Sequence, residues 1–281
     1  MRTERLLIFI TVIVLALMVI TFQGCYSETL PEWAEGFEYK SNEIFPVYVS
    51  EDGSVFVSAT FGGEPVALLF NTGEQVGLSM TDNLVRQMGL QMVDSEPSDE
   101  IKYSIPAFTA FGHVWKDQVV MPASVTSYNG SIGPQLMNGQ RFTLDYGKQL
   151  MAVSESALPE DLQGENIVPM VQIDDSLLPV VQGQANGEPV LIELDTGSSQ
   201  TIVDMMLARK LGLQAGENGY QVSEVSIGFY RFEIKAADTA LLPISNDLRR
   251  IRLGTDVLSH MILTVDYLSG TVAIKPVPAI R

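Results

Sequence analysis

"LIELDTGSSQ" at residues 191–200 places an aspartate, a small hydroxyl residue and a glycine at the end of an apolar run. Residues 67–76 read "ALLFNTGEQV", nearly the same phrase with Asn71 where Asp195 later stands. The likeness spreads outward from these two stretches. "FGGEPVALLFNTG" (61–73) matches "ANGEPVLIELDTG" (185–197) with Gly, Glu, Pro, Val, Thr and Gly in register. "MTDNLVRQMGL" (80–90) answers "VDMMLARKLGL" (203–213), and "FGHVWKDQVV" (111–120) answers "IGFYRFEIKA" (227–236). "SIGPQLMNGQRFTLDYGKQLMAV" (131–153) then answers "RLGTDVLSHMILTVDYLSGTVAI" (252–274). Four blocks in one order at a nearly constant offset make the chain a tandem duplication.

Each half reads mostly as strands. "GSVFVSATF", "PVALLF", "PVLIEL", "YRFEIKAADTALL", "MILTVDY" and "TVAIKP" are short, rich in Val, Ile and Phe, and bounded by Gly, Pro or Asn. One short helix per half is also expected. Asp204 can cap "MMLARKL", whose Met205, Leu207, Ala208 and Leu211 suit one buried face, with Gly212 just past its end. Thr81 or Asp82 and Gly89 bracket the equivalent helix. The expected lobes are residues 47–154 and 169–281, with the polar stretch 155–168 as linker.

The first 24 residues read as a targeting segment. "MRTER" is a basic start, residues 6–22 carry no charge, and "QGC" follows. That apolar run is short against the ~20 residues a membrane-spanning helix needs. Gly24 before Cys25 suits a bacterial lipoprotein cleavage site with Cys25 lipidated, although Phe22 and Gln23 fit such a site poorly. An uncleaved helical anchor and ordinary secretion are the alternatives, and all three place the rest outside the cytoplasm. A cell-envelope location with a membrane link through the N-terminal lipid or helix is expected. Cys25 is the sole cysteine, so the globular part has neither a disulfide nor a thiol nucleophile. Residues 25–46 then form an acidic spacer, unless Trp33, Phe37 and Tyr39 pack on the domain. The net charge of −17 argues against nucleic-acid partners, because an acidic surface repels phosphate backbones. It serves solubility equally well.

The order of strand, Asp-Thr-Gly-Ser-Ser, short helix ending in Leu-Gly-Leu, hairpin region and an apolar-Gly segment leading to "LTVDY" resembles the retropepsin-like and pepsin-like aspartic peptidases. It looks most like bacterial membrane-anchored members. The resemblance spans roughly residues 47–276 and implies an all-β fold of two tandem acid-protease barrel lobes. Peptide hydrolysis without metal needs a base for water and an acid for the carbonyl oxygen, which two adjacent carboxylates sharing one proton supply. By this resemblance Asp195 is the catalytic carboxylate and Thr196 supports the crossing of the two loops. Gly197 permits the tight turn, and Ser198 can hydrogen-bond the carboxylate. Leu253 and Gly254 match the segment that closes the loop. Asn71, Thr72 and Gly73 form the degenerate partner site, since an amide cannot hold or release a catalytic proton near neutral pH.

Three readings follow. Second halves of two chains pair as a homodimer and restore a dyad; or the chain binds extended peptides without cutting them; or Asp195 acts alone and slowly. A glycine-rich flap is doubtful in either half, for "QAGENGYQVSEVS" leaves room for a short hairpin only and residues 91–110 are acidic and poor in glycine. His113 and His260 are the only histidines and form no HExxH or cysteine cluster, so no metal or cofactor is expected. His260 lacks a G-x-S-x-G partner and reads as structural. Asp174 and Asp175 read as a solvated turn, and the equivalent Asp145 and Asp266 as strand-end hydrogen-bond acceptors.

Overall fold

The computed structural model describes residues 30–93, 101–123, 128–159, 162 and 165–277, and is almost entirely β-structure. Local sequence explains its first hairpin. In the strand Val55–Phe61, Val55, Val57, Ala59 and Phe61 point into the core and alternate with more exposed residues. Its antiparallel partner Glu64–Phe70 follows after Gly62 and Gly63, both with positive φ, as a two-residue hairpin turn requires. The second lobe repeats this hairpin with Val180–Ala185, Glu188–Leu194 and a turn at Asn186–Gly187.

Each lobe is a closed six-strand barrel. In the first, strands Val55–Phe61, Glu64–Phe70, Gly130–Ile132, Leu78–Met80, His113–Pro122 and Tyr103–Ala110 pair in that order. Ala59 and Thr60 close it onto Ala110 and Thr109. In the second, Val180–Ala185, Glu188–Leu194, Arg249–Leu253, Ile202–Asp204, Tyr230–Ala240 and Gly219–Ile227 do the same. There Gln184 and Ala185 close onto Ser226 and Val225. Closure removes the free edges that would otherwise invite pairing with other chains.

The expected helices form at Asp82–Met88 and Met205–Lys210. Thr81 Oγ1 accepts from the Leu84 N–H in one, and Asp204 accepts from the Met206 and Leu207 N–H groups in the other. A further single turn follows each apolar-Gly segment, at Pro134–Met137 and Thr255–Leu258. These turns are too short for the periodic signal that marks helices in sequence.

A six-stranded sheet joins the lobes, in the order Ile44–Pro46, Leu150–Ser154, Arg141–Asp145, Met261–Asp266, Thr271–Pro276 and Ile167–Pro169. At its centre Thr143 lies opposite Thr264, with their hydroxyls 2.6 Å apart. Asp266 accepts from the Leu158, Leu268 and Ser269 N–H groups, and Asp145 from the Lys148 N–H. Both aspartates thus act as strand-end acceptors.

Two connecting segments are built into the fold. Residues 31–46 form a strap across this sheet, the alternative in which the three aromatics pack on the domain. Trp33, Phe37 and Tyr39 are buried against Leu150, Ala152, Ile262 and Ala273 from both lobes. Trp33 Nε1 donates to Asp145 Oδ2 (2.7 Å), and the Arg141 guanidinium stacks 4.2 Å from the Tyr39 ring centre. Aromatic burial outweighs the solubility of the surrounding acidic residues. The expected linker also contributes structure, with Leu158 buried and Ile167–Pro169 adding the last strand. The apolar run at 6–22 and Cys25 lie outside the described residues. No helix among the described residues is long and apolar enough to cross a membrane.

Candidate active site

The two matching phrases of the duplication meet where the lobes touch. Each loop follows a barrel strand and is held by the neighbouring parallel strand: Asp195 N–H donates to the Leu253 carbonyl (2.9 Å), and Asn71 N–H to that of Ile132 (2.9 Å). Gly254 packs so tightly that a Cβ there would lie 2.5 Å from the Gln200 carbonyl carbon. Leu253 and Gly254 therefore close the loop by backbone contact.

Thr72 and Thr196 bind the loops to one another reciprocally. Thr196 Oγ1 donates to the Phe70 carbonyl (2.7 Å) and accepts from the Thr72 N–H (3.1 Å). Thr72 Oγ1 donates to the Leu194 carbonyl (2.5 Å) and accepts from the Thr196 N–H (3.0 Å). The neighbouring glycines permit the approach. A Cβ on Gly73 would fall 2.3 Å from both Asp195 carboxylate oxygens, and one on Gly197 2.2 Å from Asn71 Oδ1. Asp195 is thus set against Asn71 of its own chain.

The amide orientation follows from its donors and acceptors. The Gly73 N–H donates to Asn71 Oδ1 (3.0 Å), and turning the amide over would set two donors against each other. Asn71 Nδ2 then points outward and donates to Glu74 Oε2 (3.3 Å). In the other loop the Gly197 N–H donates to Asp195 Oδ1 (2.9 Å). Any proton at this junction must belong to Asp195, because Asn71 offers an oxygen that can only accept. Burial pushes the Asp195 carboxyl above the usual range, against the lowering effects of the Gly197 N–H and the Arg252 guanidinium. A raised carboxyl suits a group that must both take and give a proton.

The Ser198 hydroxyl donates to the Gln200 carbonyl (2.8 Å), while its backbone N–H bears on the Asp195 carboxyl and lowers it. The charged support comes from residues the sequence reading passed over. Glu193 is fully buried and accepts from Arg250 Nη1 and Arg252 Nε, each at 2.8 Å. Arg252 Nε also lies 3.7 Å from Asp195 Oδ2. A lone glutamate inside the apolar run "LIEL" and the alternating arginines of "RRIRL" were the signal for this cluster. Tyr128, half-buried, has its phenol raised by burial and by the fields of Glu74 and Asp195.

Other candidates lie elsewhere. His113 stands 3.7 Å from Glu155, and His260 contacts Ser259. Asp174 occupies a turn with positive φ. Among the described residues no cluster of metal-ligating side chains occurs. A polar concavity on the second lobe, between Leu213, Gln221 and Lys235, does not include Asp195. The hairpin Ala215–Gly216 with Gly219–Ile227 has only Glu217 and Asn218 at its tip. In the first lobe Gln91–Met92 pairs with Tyr103–Ser104, and residues 94–100 between them lie outside the described residues.

Among solved structures, the chain is similar to an aspartic proteinase from Irpex lacteus. The TM-score is 0.53 at 12% sequence identity, over 84% of this chain and 97% of that one. The fold is that of the aspartic proteinases. The likeness is one of fold, pepsin-like in its two lobes, and carries no residue roles at this identity. No family model matches the chain. No curated protein matches it either.

Proposed function

We propose that this chain is an aspartic-peptidase-like protein of the cell envelope that holds extended polypeptides in the cleft between its lobes. Asp195 is the acid–base group of the two paired loops. The observation that carries this reading is the reciprocal Thr72–Thr196 grip, which sets Asp195 beside Asn71 within a single chain. Two barrel lobes around such a junction suit a chain in extended form, recognised through its main-chain groups. In hydrolysis, ionised Asp195 would take a proton from water as the oxygen attacks the peptide carbonyl, and would return it to the leaving nitrogen. The position facing Asp195 carries the Asn71 amide in place of a second carboxyl, and loss of one acid–base participant costs ~10²- to 10⁴-fold in rate.

The same observation favours a second reading, in which the cleft binds polypeptides without cutting them. A homodimer with two facing Asp195 residues would have to dismantle the grip first. The test uses the detergent-solubilised full chain, its mass in solution, and cleavage of a peptide library from pH 4 to 7. Asn71→Asp should raise cleavage by ~10²-fold or more, and Asp195→Ala should abolish it. A wild type that binds peptides but cuts none, alongside an active Asn71→Asp, would establish the second reading. No binding and no cleavage by any variant would sink the proposal.

A further inference from the structure

The lobes repeat one backbone around the Asn71–Asp195 pair but flank the two side chains differently. In the second lobe Glu193 lies beside Arg252 in the parallel register of its strands, and Arg250 stands on the same face two residues earlier. The matching residues of the repeat in the first lobe are Leu69, Ser131 and Asn129, with Leu69 beside Ser131 in the same register. Leu69 and Ser131 are buried, as Glu193 is. The fold therefore accepts uncharged residues at these places. Charges stand there only in the lobe whose loop carries a carboxylate.

Stability does not account for them. Desolvating a buried ion is unfavourable, and apolar residues of similar volume often replace a buried ion pair without loss. Leu69 shows that such a residue fits this strand. The cluster also has a direction. Glu193 accepts from buried Arg250 on Oε2 and from Arg252 Nε on Oε1, each at 2.8 Å. Two cations on one carboxylate leave a positive charge over. Arg252, 29% exposed, is the member that reaches the site, its Nε 3.7 Å from Asp195 Oδ2.

In the first lobe the Asn71 amide faces Asp195, and Glu74 is bound to the outward nitrogen of that amide. The Tyr128 and Tyr146 phenols, which sense the Asp195 charge, are kept protonated by burial. None of these is a cation. A carboxyl in a dyad can ionise because its partner keeps the shared proton, and Asn71 can keep none. Burial favours the neutral form of Asp195, and the Gly197 N–H and the Arg252 guanidinium act against it.

We propose that Arg252, held by Glu193, is a positioning residue that lets Asp195 ionise beside an amide, a counter-charge standing in for the proton a second carboxyl would share. This rests on the reading that Asp195 is the acid–base group of the site. The ionised form is the one that takes a proton from water.

The test follows the Asp195 carboxyl by NMR in the detergent-solubilised full chain, isotope-labelled at its aspartate carboxyl carbons; the Asp195 signal is the one missing from Asp195→Asn. Arg252→Ser, which copies the first lobe, should raise the titration midpoint by about one pH unit, a roughly tenfold change in proton affinity. Arg252→Lys keeps the cation and should bring the midpoint back toward the wild-type value, whereas Arg252→Gln should not. Thermal midpoints check each fold. Should Arg252→Ser fail to fold, the triple substitution Glu193→Leu, Arg250→Asn, Arg252→Ser removes the whole cluster in the image of the first lobe and should give the same rise. An unchanged midpoint in the folded serine variant, or a lysine variant no different from it, overturns the proposal. Cleavage of a peptide library is measured over the same pH range. A midpoint that moves as expected in a protein that cuts nothing leaves Arg252 in its role and overturns hydrolysis alone.

Discussion

Replacing Thr196 by valine removes one hydroxyl while keeping the side-chain volume, and that hydroxyl has two buried partners. The Phe70 carbonyl loses its donor and the Thr72 N–H its acceptor. A buried polar group left unpaired costs about 1–3 kcal/mol, so the pair predicts a loss of roughly 2–6 kcal/mol. Thr72→Val orphans the Leu194 carbonyl and the Thr196 N–H and should cost a similar amount. The two losses should not add. Once one substitution loosens the crossing loops, water reaches the groups the other would expose, and the double variant should lose less than the sum by about 0.5–3 kcal/mol. Urea unfolding of both singles and the double measures the cycle, with an unchanged slope confirming comparable exposure on unfolding. In thermal unfolding each single should fall by about 5–15 °C. Were Asp195 loops of two chains gripping each other instead, Thr72→Val would be nearly silent and its coupling to Thr196→Val close to zero. That result would refute the pairing of the loops within one chain.

Two other outcomes follow from the structure. Because burial raises the folded Asp195 carboxyl, folding favours its neutral form relative to the unfolded chain; that contribution is complete below the unfolded carboxylate range and is lost as pH rises through the folded value. Asp195→Asn should therefore stabilise the protein at pH 7, with the gain shrinking toward pH 3.5. Equal midpoints at pH 7 in a pH series of thermal scans would count against the burial effect. Trp33→Ala removes a buried aromatic side chain and its bond to Asp145, for a cost of ~3–5 kcal/mol. Hydrogen exchange should rise in residues 31–46 and in the strand Leu150–Ser154 beneath them; unchanged protection there would show that the strap is not held by Trp33.

The sequence made the barrels legible for a physical reason: period-two alternation and turn residues are local signals, and each appears twice. The helix cap at Asp204 was readable on the same grounds. Pairing of the loops was not, because Thr72 and Thr196 are 124 residues apart and nothing local says whether Asp195 meets Asn71 or a second chain. Composition left the strap undecided between spacer and packed segment, since acidic residues flank the three aromatics that decide where it goes. Ser198 bears on the carboxyl through its backbone N–H and turns its hydroxyl toward Gln200, a detail of dihedral angle that residue type does not carry. The buried Glu193 cluster was visible only as charges out of place in apolar strands.

The central Thr143–Thr264 contact marks a near two-fold axis on which the lobes would exchange places. In an assembly of identical subunits, every substitution beside such an axis is made twice, and an amide for a carboxyl would replace both members of the pair at once. A single covalent chain is free of that constraint. Asn71 beside Asp195, and Ser131 where the other lobe has Arg252, are unlike partners that a symmetric homodimer cannot encode, each half keeping the geometry while the other changes its chemistry.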